Sequence, residues 1–135
     1  MVLLAPLLAL ALPFLVWPIE LFFPYPHIVE EIAKGILIYL IVASADKVNK
    51  IAAVAVVGVL FALSESVLYL FNIYLVGTSA TLLQRFAVTT GLHVVTSLVI
   101  FLPTIKSKKL IVLGVVLAGI IHYYFNFYIK TSVLL

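Results

Sequence analysis

The chain has 135 residues, of which 66% are hydrophobic and 10% charged, with a net charge of +3. Soluble domains carry about 25% charged residues, so a water-facing surface cannot be built from this inventory and most of the chain must face lipid. The small positive charge argues against nucleic-acid binding, and the absence of Cys excludes disulfides, thiolate metal sites and Cys-based catalysis.

The length fits one domain over residues 1–135. The expected fold is all-α: a polytopic membrane bundle of about five transmembrane helices with a kinked first helix. The first apolar segment runs from Val2 to Phe23 and contains Pro6, Pro13 and Pro18. Proline removes a backbone donor, so a kink is expected here. The segment lacks a basic n-region and a small-x-small cleavage site, and it reads as a retained helix, not a signal peptide. A Pro-rich turn from Phe23 to His27 follows, with His27 at the interface.

The second segment, Ile28 to Ala43, opens with Glu30, Glu31 and Lys34 and then turns wholly apolar. It is short for a span of about 20 residues, unless its charged start sits at membrane depth inside the bundle. The loop Ser44–Lys50 carries Asp46, Lys47 and Lys50. The third segment, Ile51 to Tyr74, holds Glu65. An uncharged turn, Val76–Ala80, leads to the fourth, Thr81 to Leu102, with Arg85 and His93. The loop Pro103–Lys109 holds Lys106, Lys108 and Lys109. The fifth segment, Leu110 to Tyr128, contains His122 and Asn126.

Lysines concentrate in the two loops on the side of the N-terminus. By the positive-inside rule the N-terminus is cytoplasmic and the C-terminus extracytoplasmic in a cell membrane. At about 1.5 Å per residue, Glu65 lies roughly 21 Å along its helix, and His93 and His122 each roughly 18 Å along theirs. Glu30 and Glu31 lie near the extracytoplasmic end of the second helix. These positions share the middle-to-outer half of the bilayer.

Helical spacing sharpens the pattern. Glu30 and Lys34 can pair at i, i+4. Arg85, Thr89, His93, Thr96 and Ser97 form one polar stripe, and Phe61, Glu65, Tyr69 and Asn72 another. His122 and Asn126 face the same way. Intramembrane ionisable residues are costly and mark functional sites. The bland alternative for each histidine is interhelical glue, but all the bland readings would have to hold at matching depths. Arg85 reads as a headgroup anchor or a partner of a site glutamate, not as a catalyst.

The ordered motifs Glu30-Glu31-Ile32-Ala33-Lys34 (EExxK), Phe61-Ala62-Leu63-Ser64-Glu65 (FAxxE), His93 and His122-xxx-Asn126 resemble the PrsW family of intramembrane proteases. That family belongs with the CAAX prenyl endopeptidases and bacteriocin-processing proteins grouped as CPBP or Abi. The resemblance covers roughly residues 28–128. It departs at Ser66, where the family often has Asn, and the chain is short. It implies an endopeptidase acting on a membrane-embedded or membrane-proximal substrate.

Peptide hydrolysis needs an activated water and a stabilised oxyanion. Glu30 or Glu31 suits the base, Lys34 would orient the other carboxylate, and His122 and Asn126 would polarise the scissile carbonyl. In a competing scheme Glu65, His93 and His122 hold a zinc ion with water in the open position. No HExxH-type pair is present, which tips the reading towards the metal-free scheme. The expected partners are the bilayer and a membrane protein or peptide substrate. A homo-oligomer is compatible with this and nucleic acid is not. Two other classes compete: a small proton-coupled transporter or channel, and a non-catalytic membrane binding subunit.

Overall fold

The computed structural model describes residues 4–46, 49–74 and 79–131, without the side chains of 71–74, 79, 81 and 82. Lys47, the Asn72 side chain and most of the expected turn before Ala80 therefore lie outside the described residues. Five α-helices follow one another: α1 (Leu4–Glu20), α2 (Pro26–Ala43), α3 (Lys50–Tyr74), α4 (Ser79–Phe101) and α5 (Ile111–Thr131). Two 3-10 turns, Leu102–Ile105 and Lys108–Leu110, join α4 to α5. No strand occurs among the described residues, and the all-α expectation holds.

The helix ends have local causes. α1 runs through Pro13 and Pro18 before stopping at Glu20. α2 starts at Pro26, two positions before the expected Ile28, because Pro at the first helical position has no N–H to satisfy. The gain makes α2 18 residues long, roughly 27 Å, close to the ~30 Å hydrocarbon core. The second segment is therefore not short. At its other end, Lys50 Nζ donates to the carbonyls of Val42 and Ser44 at 3.0 and 2.9 Å. A cation on the last carbonyls of a helix is favourable. Asn49 Oδ1 accepts from the Ala52 N–H at 3.1 Å and caps α3.

Three stretches are long and apolar enough to cross a membrane: Lys50–Leu70, Leu83–Ile105 and Lys108–Thr131. α2 carries three charged side chains, but all three are buried. Its large exposed side chains are Ile28, Ile32, Ile36 and Tyr39, a helical stripe that suits lipid. A soluble helix of this composition would turn the glutamates and Lys34 outward. The inverted pattern is that of a membrane protein, since lipid cannot hydrogen-bond to a charge.

α2 is the hub: it packs against each of the other four helices. The others close around it, α1 on α3, α3 on α4, and α4 on α5. Glycines set the closest approaches. A Cβ on Gly58 would lie 2.6 Å from the His93 carbonyl oxygen, and one on Gly114 the same distance from that of Ile100. Small residues at crossing points are how membrane helices gain packing contact. Gly58 thus fixes α3 against α4 at the level of His93. One half of the interior is apolar, with Leu37, Ile38, Ile41, Val54, Val57 and Ile100 buried together. The polar side chains fill the other half.

Candidate active site

Lys34 organises the polar half. It is fully buried, and its ammonium has three hydrogens to place. They go to Glu31 Oε1 at 2.6 Å, Thr96 Oγ1 at 2.8 Å and His93 Nδ1 at 2.9 Å. The Phe61 ring lies below the ammonium, 5.2 Å away. Sequence spacing suggested a Glu30–Lys34 pair at i, i+4. The structure pairs Lys34 with Glu31 at i, i+3 instead, because His93 and Thr96 on α4 draw the ammonium to that side.

The partners assign the histidine tautomers. Lys34 donates to His93 Nδ1, so that atom carries a lone pair and the ring proton sits on Nε2. His93 Nε2 then donates to Glu65 Oε2. His122 Nδ1 lies 2.7 Å from Glu31 Oε1 and donates to it, leaving Nε2 with a lone pair. The two imidazoles meet edge to face, with centroids 5.3 Å apart. Glu65–His93–Lys34–Glu31–His122 is thus one connected chain of hydrogen bonds across α2, α3, α4 and α5. Buried polar networks are rigid when their members are satisfied.

Beside this network, two adjacent glutamates each have an oxygen that is not satisfied. Glu30 Oε2 and Glu31 Oε2 are buried without a hydrogen-bond partner. Glu31 is held through its other oxygen. Glu30 Oε2 lies 3.6 Å from His122 Nδ1, but that nitrogen is already engaged by Glu31.

Glu30 also forms part of a cavity of about 650 Å³, within the usual range for ligand sites. Glu65, Arg85, His93, His122 and Asn126 line it as well. Its lining comes from the start of α2, the end of α3, the start of α4 and the end of α5, all at one end of the bundle. The apolar half closes the other end.

The site therefore brings Glu30 beside the network of Glu31, Lys34, Glu65, His93 and His122. Asn126 joins as part of the cavity wall. Arg85 lines the same cavity but stacks on Tyr69, its guanidinium 4.3 Å from the ring centroid. Among the described residues it pairs with no glutamate. His27 was read as a residue of an interfacial turn. It lies instead in the first turn of α2, 8% exposed, its ring 5.8 Å from that of His122. Glu20 escaped the sequence reading. It closes α1 and lines a second, smaller cavity with Trp17, Glu30, Phe61, Glu65 and Tyr69.

For a metal, the converging trio is Glu30, His93 and His122, with ligand atoms within 4.8 Å of one another. Glu65 is not in it; it is the hydrogen-bond partner of His93. The fit is partial. Glu30 and His122 Nε2 are ready to bind, but His93 Nε2 carries the proton that Glu65 accepts. That proton would have to leave before His93 could bind a cation. Carboxylates that accept from the other ring nitrogen of a metal-bound histidine are common, and Glu31 on His122 has that form.

Compared with family models, curated proteins and solved structures, the chain matches none.

Proposed function

We propose that the chain is an intramembrane endopeptidase, in line with its resemblance to the PrsW proteases, cleaving a membrane-embedded or membrane-proximal peptide. The observation that carries the reading is Glu30. Its buried, unpartnered carboxylate oxygen lies in the wall of a cavity open at one end and backed by a rigid Glu–His–Lys network. A water there is within reach of the carboxylate and of His122. Glu30 takes the proton of that water as its oxygen adds to the scissile carbonyl carbon. The Asn126 amide donates to the oxyanion that forms. The intermediate collapses, the C–N bond breaks, and the amine leaves with the proton from Glu30. Glu31 acts as a positioning residue: it fixes the His122 ring as a triad carboxylate fixes its histidine. Glu65 and Lys34 hold His93 from its two sides.

The test is cleavage of a single-span membrane peptide by purified protein in detergent. Glu31→Ala, Glu65→Ala, His93→Ala and His122→Ala are each expected to lose activity. Cleavage retained by all four overturns the reading. Full activity in the presence of a chelator is the result expected of the glutamate scheme. One zinc per chain, with activity lost on its removal, would transfer the role of Glu30 to a metal held by Glu30, His93 and His122. A through-going transporter fits less well, because the apolar half leaves no polar path to the second face.

We also propose that the N-terminus is cytoplasmic, from the exposed Lys106, Lys108 and Lys109 between α4 and α5. The active-site cavity then opens on the extracytoplasmic side. A phosphatase reporter active only outside the cytoplasm should work when fused after Leu135 and fail when inserted at Ser107. The reverse result inverts the topology.

A further inference from the structure

The smaller cavity, about 270 Å³, lies between α1, α2 and α3. It shares Glu30, Glu65 and Tyr69 with the larger one, so the two meet at the candidate active site. Its wall has three carboxylates, Glu20, Glu30 and Glu65, and three aromatic rings, Trp17, Phe61 and Tyr69. Among the described residues no Lys or Arg lines it. Lys34 spends its three hydrogens elsewhere, and Arg85 stacks on Tyr69. Glu20 Oε1 and Glu30 Oε2 are buried without hydrogen-bond partners, and Glu30 is only 6% exposed. Carboxyl oxygens buried without partners are costly, most of all when ionised. A cation entering this space would satisfy both.

The geometry favours an organic cation over a metal. Glu30, His93 and His122 are the trio that converges for a metal among the described residues, and neither Glu20 nor Glu65 belongs to it. Carboxylates too spread for one small ion, with aromatic faces between them, suit a larger cation that also binds π-systems. The cavity falls below the usual range for whole small molecules and is of a size for one side chain.

We propose that this cavity binds a single ammonium or guanidinium group. On the peptidase reading, on which this assignment of the ligand rests, the group is the side chain of a substrate Lys or Arg next to the scissile bond. Glu20 is then the residue that sets specificity. The peptide backbone passes the Glu30–His122 site while the basic side chain turns in towards α1.

Trp17 is the only tryptophan of the chain and stands in the wall, so its fluorescence reports occupancy without any catalysis. The protein in lipid nanodiscs is titrated with n-butylammonium and n-butylguanidinium, with neutral 1-pentanol and Mg²⁺ or Zn²⁺ as comparisons. A saturable change with the organic cations is expected, and none with pentanol. Glu20→Gln, isosteric and uncharged, should weaken it about tenfold or more, and Glu20→Asp should largely restore it. An equal response to pentanol, an unchanged response in Glu20→Gln, or a response to the metals alone overturns the proposal.

The substrate arm compares peptides with Lys, Arg or norleucine beside the cleaved bond. A tenfold preference in kcat/KM for the basic residues, lost in Glu20→Gln, supports the assignment. Cleavage without preference removes it while leaving the peptidase reading intact. A saturable Trp17 response with no cleavage of any peptide supports the cation site and removes the peptidase.

Discussion

Lys34→Met is expected to destabilise the bundle by about 3–5 kcal/mol and to abolish cleavage. The ammonium holds three buried acceptors on two helices: Glu31, His93 and Thr96. Without it the Glu31 carboxylate keeps only the His122 hydrogen bond among the described residues. Breaking a buried pair by removing one partner leaves a charge that the interior cannot accommodate. Removing both partners behaves differently. Lys34→Met with Glu31→Gln should recover most of the lost stability, since a neutral amide can still accept from His122 Nδ1. It should recover none of the activity. Lys34→Arg should not rescue either property, because three acceptors surround one nitrogen and a planar fork cannot serve them. Thermal unfolding in detergent, measured beside peptide cleavage for all four proteins, checks this. Stability of Lys34→Met within about 1 kcal/mol of the parent, far below that cost, would mean that the network does not hold the helices together.

The fold was largely legible because its cause is in the composition. Too few charges for a soluble surface, set in five apolar runs, leaves only a membrane helix bundle. The convergence of Glu65, His93 and His122 was legible too, from depth alone: they fall at matching heights on separate helices. Pairing inside the site was not. The choice of Glu31 over Glu30 for Lys34 depends on the rotation of α2 against α4, and i, i+3 and i, i+4 spacings are nearly equivalent locally. Glu20 was missed for a different reason. At the end of an apolar run it reads as a residue reaching water, and only the packing of α1 on α2 and α3 turns it inward. Arg85 was expected at lipid headgroups or beside a glutamate. Its place on Tyr69 follows from the α3–α4 contact, which helical periodicity does not specify.

The placement of α2 unites these points. A helix with three ionisable side chains is a poor membrane span alone, and a central position removes that difficulty. Packed against the other four helices, it buries its three charged side chains and turns Ile28, Ile32, Ile36 and Tyr39 outward. The same surroundings place two adjacent glutamates in different roles. Glu31 points into the α4–α5 interface and is held. Glu30, one residue earlier and turned by about 100° around the helix, meets both cavities.

That difference yields the second large expected effect. Glu30→Gln should lower kcat by about 10²–10⁴-fold, the usual contribution of a general base, with stability near that of the parent. Its Oε2 has no hydrogen-bond partner among the described residues, and the change conserves shape. For a peptide with an uncharged residue beside the scissile bond KM should move little, because its contacts elsewhere in the cavity are untouched. Glu31→Gln should also cut kcat, through loss of the charge that aligns His122, but here stability should fall as well, since Lys34 loses the carboxylate it pairs with. The two variants thus separate a base from a positioning residue by pairing turnover with unfolding. If Glu30→Gln keeps turnover within tenfold and Glu31→Gln loses it without loss of stability, the roles are exchanged. Retained turnover in both would place the base on His122 Nε2, the remaining proton acceptor facing that water.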